Sequence, residues 1–384
     1  MTYEQQALLY LVRLGIGNNT ESGFDFTDVN WRNLVDSSFS QGVPAIAVDG
    51  LQERLEDSGE RLENSGLDLL DSPELEALKY EWFGAVMSAE QDYQSYLCAL
   101  EKLAGFYKSQ NVPMMLLKGY GLSLNYPVPS HRPVGDIDIY LWDKWKEADR
   151  MIEEKYGISV NDSQHLHSMF RFGGYSIENH YDFVNVHSHR SSSSVEALFK
   201  GLAQDKGRAV RHLLPGGTEI FLPSPDLNAL FIARHCAAHF AAEKMNLRQL
   251  LDWALFAREH HQEVDWSLFW SEAKKMGMEK FVLCMDAIAV EQLGFDASIF
   301  HVPVGCGDFA AHNRVLVTRV LEDILSPADF AAKGLPPVRY IWTRLRCWWH
   351  NRWKHRIVYS DSLLSTFFVQ LRSHLLKPAT IIGR

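Results

Sequence analysis

Apolar residues recur at spacings of three and four through the first eighty positions, as in "DVNWRNLVDSSFSQGVPAIAVDGLQERL", where Gly42 and Pro44 interrupt them. That period predicts short amphipathic helices over residues 1–80, with an acidic linker or solvated helix face over 50–75. The run "VMSAEQDYQSYLCALEKLAGFYKSQN", about 86 to 110, predicts a longer helix.

The period then changes. "VPMMLLKG" is a compact apolar run closed by glycine, the pattern of a buried strand, and "DIDIYLW" alternates polar and apolar residues as a second strand. "DKWKEADRMIEEKYG" predicts a helix that begins on an acid and stops at Gly157. "HLHSMFRF" and "YSIENHYDFVNV" flank Gly173–Gly174, a hairpin signature. After residue 195 the pattern predicts helices to the end, including one that starts with Ser224 as N-cap and Pro225 in the first turn. The expected fold class is α+β, divided as a helical region (1–85), a small sheet core (86–200) and a C-terminal helical domain (201–384).

Composition narrows the class. A chain of 384 residues, 46% hydrophobic and 22% charged, suits a globular protein of two or three domains. Its net charge of −10 gives no general attraction to nucleic acid or anionic membrane. No apolar run approaches the ~20 residues that span a bilayer. "MTYEQQALLYLVRLG" lacks the basic start and apolar core of a secretory leader. Five scattered cysteines without a C-x-x-C pair point to free thiols in a reducing cytoplasm.

The chemistry gathers at "HRPVGDIDIY". Alternation places Asp136, Asp138 and Tyr140 on one strand face and Ile137, Ile139 and Leu141 on the other. Two neighbouring carboxylates repel, and a divalent cation relieves them; Mg²⁺ or Mn²⁺ prefers such oxygen ligands. Glu178 and Asp182, alternating with Ile177 and Phe183, are both candidates for a third carboxylate. Lys118 and Gly119 leave a buried strand where an ammonium and free N–H groups could hold phosphate, and Arg132 could add a contact. The competing reading is a solvent-facing edge whose acids serve only solubility.

These residues resemble the polymerase-β-like nucleotidyltransferase superfamily, and more closely the bacterial proteins described simply as nucleotidyltransferase family proteins. The resemblance extends through "QGVPAIAVDGL", "LLKG", "HRPVGDIDIYL", "IENHYDF" and "PSPDLNALFIARHCAAHFAAEKMNLRQLLDWALF", about residues 30–260. It implies a polymerase-β-like sheet core and metal binding by Asp136, Asp138 and Glu178. It further implies nucleotide contacts from Lys118, Gly119 and Arg132, and His180, beside Glu178, is the histidine expected to join them. Lys118-Gly119 stands where the superfamily has Gly-Ser, without the serine. The implied activity is two-metal transfer of an NMP from an NTP, with ATP as the expected nucleotide, to a hydroxyl on a protein, RNA or small molecule. A non-catalytic nucleotide-binding or partner-binding module with the same fold is the alternative.

His235 and His239, at i and i+4, suit an interhelical hydrogen-bonded cluster, a cleft wall or zinc. His165/His167 and His187/His189 each share a strand face. "RYIWTRLRCWWHNRWKHRIVYS" mixes cations with tryptophans, a pattern that packs on its own protein or meets nucleic acid or a membrane surface.

Overall fold

A computed structural model describes residues 1–18, 23–57, 73–205, 207–242, 244–326 and 349–376, with the isolated positions 339, 342, 343 and 346. Helices α1 (Tyr3–Gly15), α2 (Trp31–Ser40), α3 (Pro44–Asp57) and α4 (Pro73–Ser109) lead into the sheet. Strands β1 (Met115–Leu116), β2 (Ile137–Tyr140), β3 (His167–Phe172), β4 (Tyr175–His180), β5 (Val210–Leu213) and β6 (Glu219–Leu222) are interleaved with α5 (Tyr120–Ser123), α6 (Trp145–Tyr156) and α7 (Ser192–Gln204). Then follow α8 (Pro225–Ala242), α9 (Leu247–His260), α10 (Trp266–Met276), α11 (Glu279–Leu293), α12 (Phe309–His312), α13 (Arg314–Leu325), α14 (Arg352–Val358) and α15 (Leu363–Leu376).

The class is α+β, a six-stranded mixed sheet with helices on both sides, in the order β3-β4-β2-β1-β6-β5. Its two faces follow from the alternation. Leu116, Ile137, Ile139 and Ile177 join Tyr96, Leu100, Leu103 and Tyr107 of α4 and Ile152 of α6 in one apolar cluster. Met115, Leu117, Tyr140 and Phe183 instead join the larger cluster that runs through α7 and α8 into the C-terminal helices. The functional question lies on this second face.

Local signals behave as their chemistry dictates. Gly173 and Gly174 take φ of +59° and +92° in a two-residue turn between Phe172 and Tyr175. Gly157 closes α6 in the left-handed region, its N–H bonded to Glu153 O at 2.9 Å. Ser224 Oγ accepts from Leu227 N at 3.3 Å and caps α8.

One expectation is overturned. The chain beyond residue 195 is not helical throughout, because β5 and β6 form a hairpin on the edge of the sheet, with β6 parallel to β1. Val210 and Leu213 remain exposed, so the edge strand carries no alternating burial for the pattern to register. The turn Pro215-Gly216-Gly217 was its only sequence mark. The sheet therefore draws on residues up to Leu222, past the expected division at 200.

The N-terminal helices pack into the larger cluster as well. α1 and α3 cross with backbone almost in contact: a Cβ on Gly15 would strike Ile46 O, and one on Gly50 would strike Leu11 O. Gln41 bridges to Leu247 N at 2.9 Å and Ile324 O at 3.0 Å, and Asn18 Nδ2 donates to Leu293 O at 2.8 Å.

Most of the expected acidic linker, and Trp348 of the basic tryptophan segment, lie outside the described residues. Trp353 packs edge-on against Phe240 with the Arg319 guanidinium 4.0 Å from its ring centroid, while Trp342 and Trp349 are exposed. Among the described residues, no helix is long and apolar enough to cross a membrane.

Candidate active site

β2 and β4 run parallel in a register that sets Asp138 opposite Glu178 and Tyr140 opposite His180. Residues directly opposite share a face, so the alternation that buries Ile137, Ile139 and Ile177 below the sheet brings Asp138, Glu178 and His180 together above it. β3 adds His167 opposite His180, with ring centroids 5.0 Å apart. Asp136 precedes β2 by one residue and is exposed at its mouth.

Asp138 is the centre of the cluster. It is 5% exposed, and its Oδ1 receives Lys118 Nζ at 2.7 Å and His180 Nε2 at 3.0 Å. His180 Nε2 and His167 Nε2 each lie 3.5 Å from Glu178 Oε2. Burial alone would lift the Asp138 carboxyl, but the Lys118 ammonium and the His180 bond overcome it and hold the group well below the usual carboxylate range. His180 is raised, since Asp138 and Glu178 outweigh the effect of burial. His167 is lowered by burial and by His180 beside it. The pair thus separates into one imidazole that favours its proton and one that gives it up.

Asp136 behaves in the opposite way to Asp138. Burial, then the charges of Glu178 and Asp138, push its carboxyl up, and Lys118 only partly offsets them. Asp136, Asp138 and Glu178 face the Lys118 ammonium and the His180 imidazole, which are both engaged by Asp138, so the repulsion at Asp136 is only partly offset.

Lys118 is aimed by the loop that follows β1. Leu117 N bonds to Asp138 O at 3.0 Å, which ties the end of β1 to the middle of β2. Gly119 then turns at φ +61°, where a Cβ would strike Tyr96 Oη. Only glycine fits both the backbone region and the contact.

Two expected candidates are engaged elsewhere. Arg132 is buried with its guanidinium forked on Asp252, Nε–Oδ1 at 2.7 Å and Nη2–Oδ2 at 2.9 Å, and Tyr126 Oη donates to the same Asp252 Oδ1 at 2.7 Å. It braces the segment before β2 against α9, and its donors face this acid rather than the carboxylate cluster. Asp182 pairs with Lys200 of α7, beside Glu196, because β4 ends at His180 and the alternation with it.

Two further histidines, marked in the sequence only by their spacing, lie beside the cluster. His167 reaches Glu178 through strand pairing that no local pattern encodes. His235 looks onto the cluster from α8: burial, then Lys118 and His239, hold its imidazole well below its ordinary range. Its ring lies 4.4 Å from that of His239, centroid to centroid, one helical turn on.

The donor set suits a divalent cation. One ligand atom each from Asp138, Glu178 and His180 lie within 4.8 Å of one another. The mutual repulsion recorded at Asp136 is what a cation would relieve. Oxygen ligands favour Mg²⁺ or Mn²⁺, and the imidazole is compatible with the latter.

Residues 27–294 match the model of a family described as uncharacterised nucleotidyltransferase. Searches of the curated proteins and of the solved structures found no match.

Proposed function

The chain belongs to this uncharacterised nucleotidyltransferase family, and from that premise we propose that it moves a nucleoside monophosphate from an NTP, ATP first among them, to a hydroxyl acceptor, with Mg²⁺ or Mn²⁺ as cofactor. The observation that carries the reading is the register of β2 and β4, which sets Asp138 against Glu178 with Lys118 Nζ 2.7 Å from the former. Acidic oxygens for a cation and a cation for a phosphate then share one face.

Asp136, Asp138 and Glu178 would hold the metal. Bound there, divalent ions supply neutralisation of the triphosphate and a lower pKa for the acceptor hydroxyl. In the step itself the acceptor oxygen bonds to the α-phosphorus while the bond from that phosphorus to the bridging oxygen breaks, and pyrophosphate departs. Glu178, half-buried and flanked by His167 and His180, receives the hydroxyl proton. Lys118, on the flexible stem of a lysine, turns from Asp138 toward the departing phosphates and offsets their charge. Arg132 acts at one remove by fixing the segment that carries Asp136. We take the setting to be a reducing cytoplasm, consistent with the free state of Cys98, Cys236, Cys284 and Cys306.

One observation favours a second reading. Lys118 and His180 already neutralise Asp138, so the face is stable enough to serve a non-catalytic nucleotide-binding or partner-binding module. Incubation with α-labelled ATP, Mg²⁺ and a cell lysate separates the two. Label on an acceptor, lost in D136A and D138A, supports transfer; tight NTP binding with no label on any acceptor supports the module.

A further inference from the structure

Charge is unevenly placed along the chain. Residues 339–384 hold nine of the 38 lysines and arginines but one of the 48 acids, which leaves 29 cations against 47 acids in residues 1–338. The later stretch therefore stands at +8 and the earlier one at −18. The one acid of the basic stretch, Asp361, is engaged: it accepts from Ser191 N at 3.3 Å and from the Ser191 hydroxyl. Arg346, Arg352 and Arg356 are exposed.

Helices α14 and α15 are fastened to the body by their inner sides. Lys354 is buried, its Nζ 2.7 Å from Asp323 Oδ2, and Ser360 N donates to Met276 O at 3.0 Å. His355 Nε2 and Thr366 Oγ1 lie 3.2 Å apart and join the two helices. What remains outside is apolar and cationic. Trp349, just before α14, is 61% exposed and carries the Arg352 guanidinium 4.7 Å from its ring centroid. On α15, Leu364 is 73% and Phe368 64% exposed, with Phe367 beside them at the same helical spacing. A helix that only packs on its own protein turns its apolar face inward. Here the hydroxyl of Thr366 is inside and the leucine and phenylalanines are outside.

We propose that this face docks on an anionic lipid surface, with Leu364, Phe367, Phe368 and Trp349 in the boundary between headgroups and acyl chains and Arg352 and Arg356 on the lipid phosphates. Charge complementarity selects the partner. An anionic surface repels the acidic body and attracts the basic stretch, so the same field that binds the protein also orients it. The shape agrees: Leu363–Gln370 is free of charge, and an apolar helix face flanked by arginines is the pattern that lies in a membrane interface. A nucleic acid strand would use the rings and the cations but would give the aliphatic Leu364 nothing to pack on. The contact is interfacial, since among the described residues no helix is long and apolar enough to cross a membrane. It stands independently of the transfer reading.

The test is co-sedimentation of the full chain with vesicles of phosphatidylcholine alone and of phosphatidylcholine with about a quarter phosphatidylserine. We expect wild type to bind the anionic vesicles at least tenfold more tightly than the neutral ones, and less tightly as salt rises. Leu364→Ser with Phe368→Ser, and Arg352→Gln with Arg356→Gln, alter exposed side chains, and circular dichroism checks that both double variants fold. Each should weaken binding to anionic vesicles at least tenfold. Wild type that stays in the supernatant with anionic vesicles overturns the assignment, as does equal binding to both vesicle types. A folded L364S/F368S protein that binds within twofold of wild type also overturns it. Binding to single-stranded RNA or duplex DNA but not to vesicles, lost in the same variants, gives the face to nucleic acid and overturns the lipid. A dimer in analytical ultracentrifugation that L364S/F368S dissolves, with no vesicle binding, gives it to a second copy and does the same.

Discussion

Lys118 Nζ meets Asp138 Oδ1 at 2.7 Å, a close ion pair in which the carboxylate is nearly buried and the ammonium is part-exposed. The lysine is thus held by the carboxylate while part of its side chain reaches solvent. Replacing it with methionine should cut label transfer by about 10²-fold, the scale of losing one charge-stabilising group. Initial rates at saturating ATP measure this; a K118M protein with wild-type rates removes Lys118 from the mechanism.

Arg132 and Asp252 make a different kind of pair, fully enclosed and forked. Arg132→Met leaves a buried, uncompensated carboxylate and should destabilise the fold by about 3–5 kcal/mol. Urea unfolding gives the value. Nucleotide affinity of the protein that remains folded should change less than threefold, whereas a direct phosphate contact would weaken it by far more.

Gly119 admits no side chain. Gly119→Ala puts a methyl into Tyr96 Oη and an alanine into the left-handed region, with an expected loss of about 1–3 kcal/mol from the backbone alone. Adding Tyr96→Phe removes the colliding oxygen and should restore part of the loss in thermal melting, because the backbone strain persists. A double variant no more stable than G119A would show that the collision is not limiting.

Asp286 is buried under Trp253, whose Nε1 donates to Oδ1 at 2.8 Å, while Oδ2 has no hydrogen-bond partner among the described residues. Burial pushes this carboxyl well above its ordinary range, against the weaker pull of the Trp253 bond. A raised carboxyl favours the fold fully only below its unfolded value and loses that favour as pH climbs through the folded one. Asp286→Asn should accordingly stabilise the protein at pH 7.5, by about 1–3 kcal/mol, and leave it little changed at pH 4. Melting curves at the two pH values test the sign.

His189 has the opposite dependence. Burial, then Arg234 and His355, pull its imidazole down to about 3, and Tyr359 stacks on it with centroids 3.8 Å apart. Unfolding releases it to an ordinary value near 6.5, so its contribution is complete above that pH and shrinks as pH falls toward the folded value. One proton taken up on unfolding corresponds to about 2 kcal/mol lost between pH 6.5 and 5. His189→Phe should flatten that slope in pH-dependent denaturation, and an unchanged slope would assign it to another group.

Much of the carboxylate face was legible in the chain because period-two alternation fixes which residues share a side. Asp138, Glu178 and His180 needed only that rule together with the parallel pairing of their strands. The pairing of Arg132 with Asp252 was not legible because the partner lies 120 residues away, and a guanidinium near an acid pair reads the same whether it faces phosphate or a buried carboxylate. Asp182 misled because the alternation was carried past the end of β4. The β5–β6 edge was hidden by its exposure, and His167 and His235 by the fact that strand order and helix docking are properties of the whole fold.

The close crossing of α1 and α3 has a practical consequence for anyone who trims this gene. The family-matched span begins at residue 27 and so discards α1, although Gly50 of α3 has no room for anything but that helix's backbone. A fragment cut at 27 would uncover the groove that Leu8, Leu11 and Val12 fill, a greasy trough along an otherwise finished molecule. Such a truncation would aggregate during purification, and its silence in an assay would reflect the missing helix rather than the chemistry of the acids.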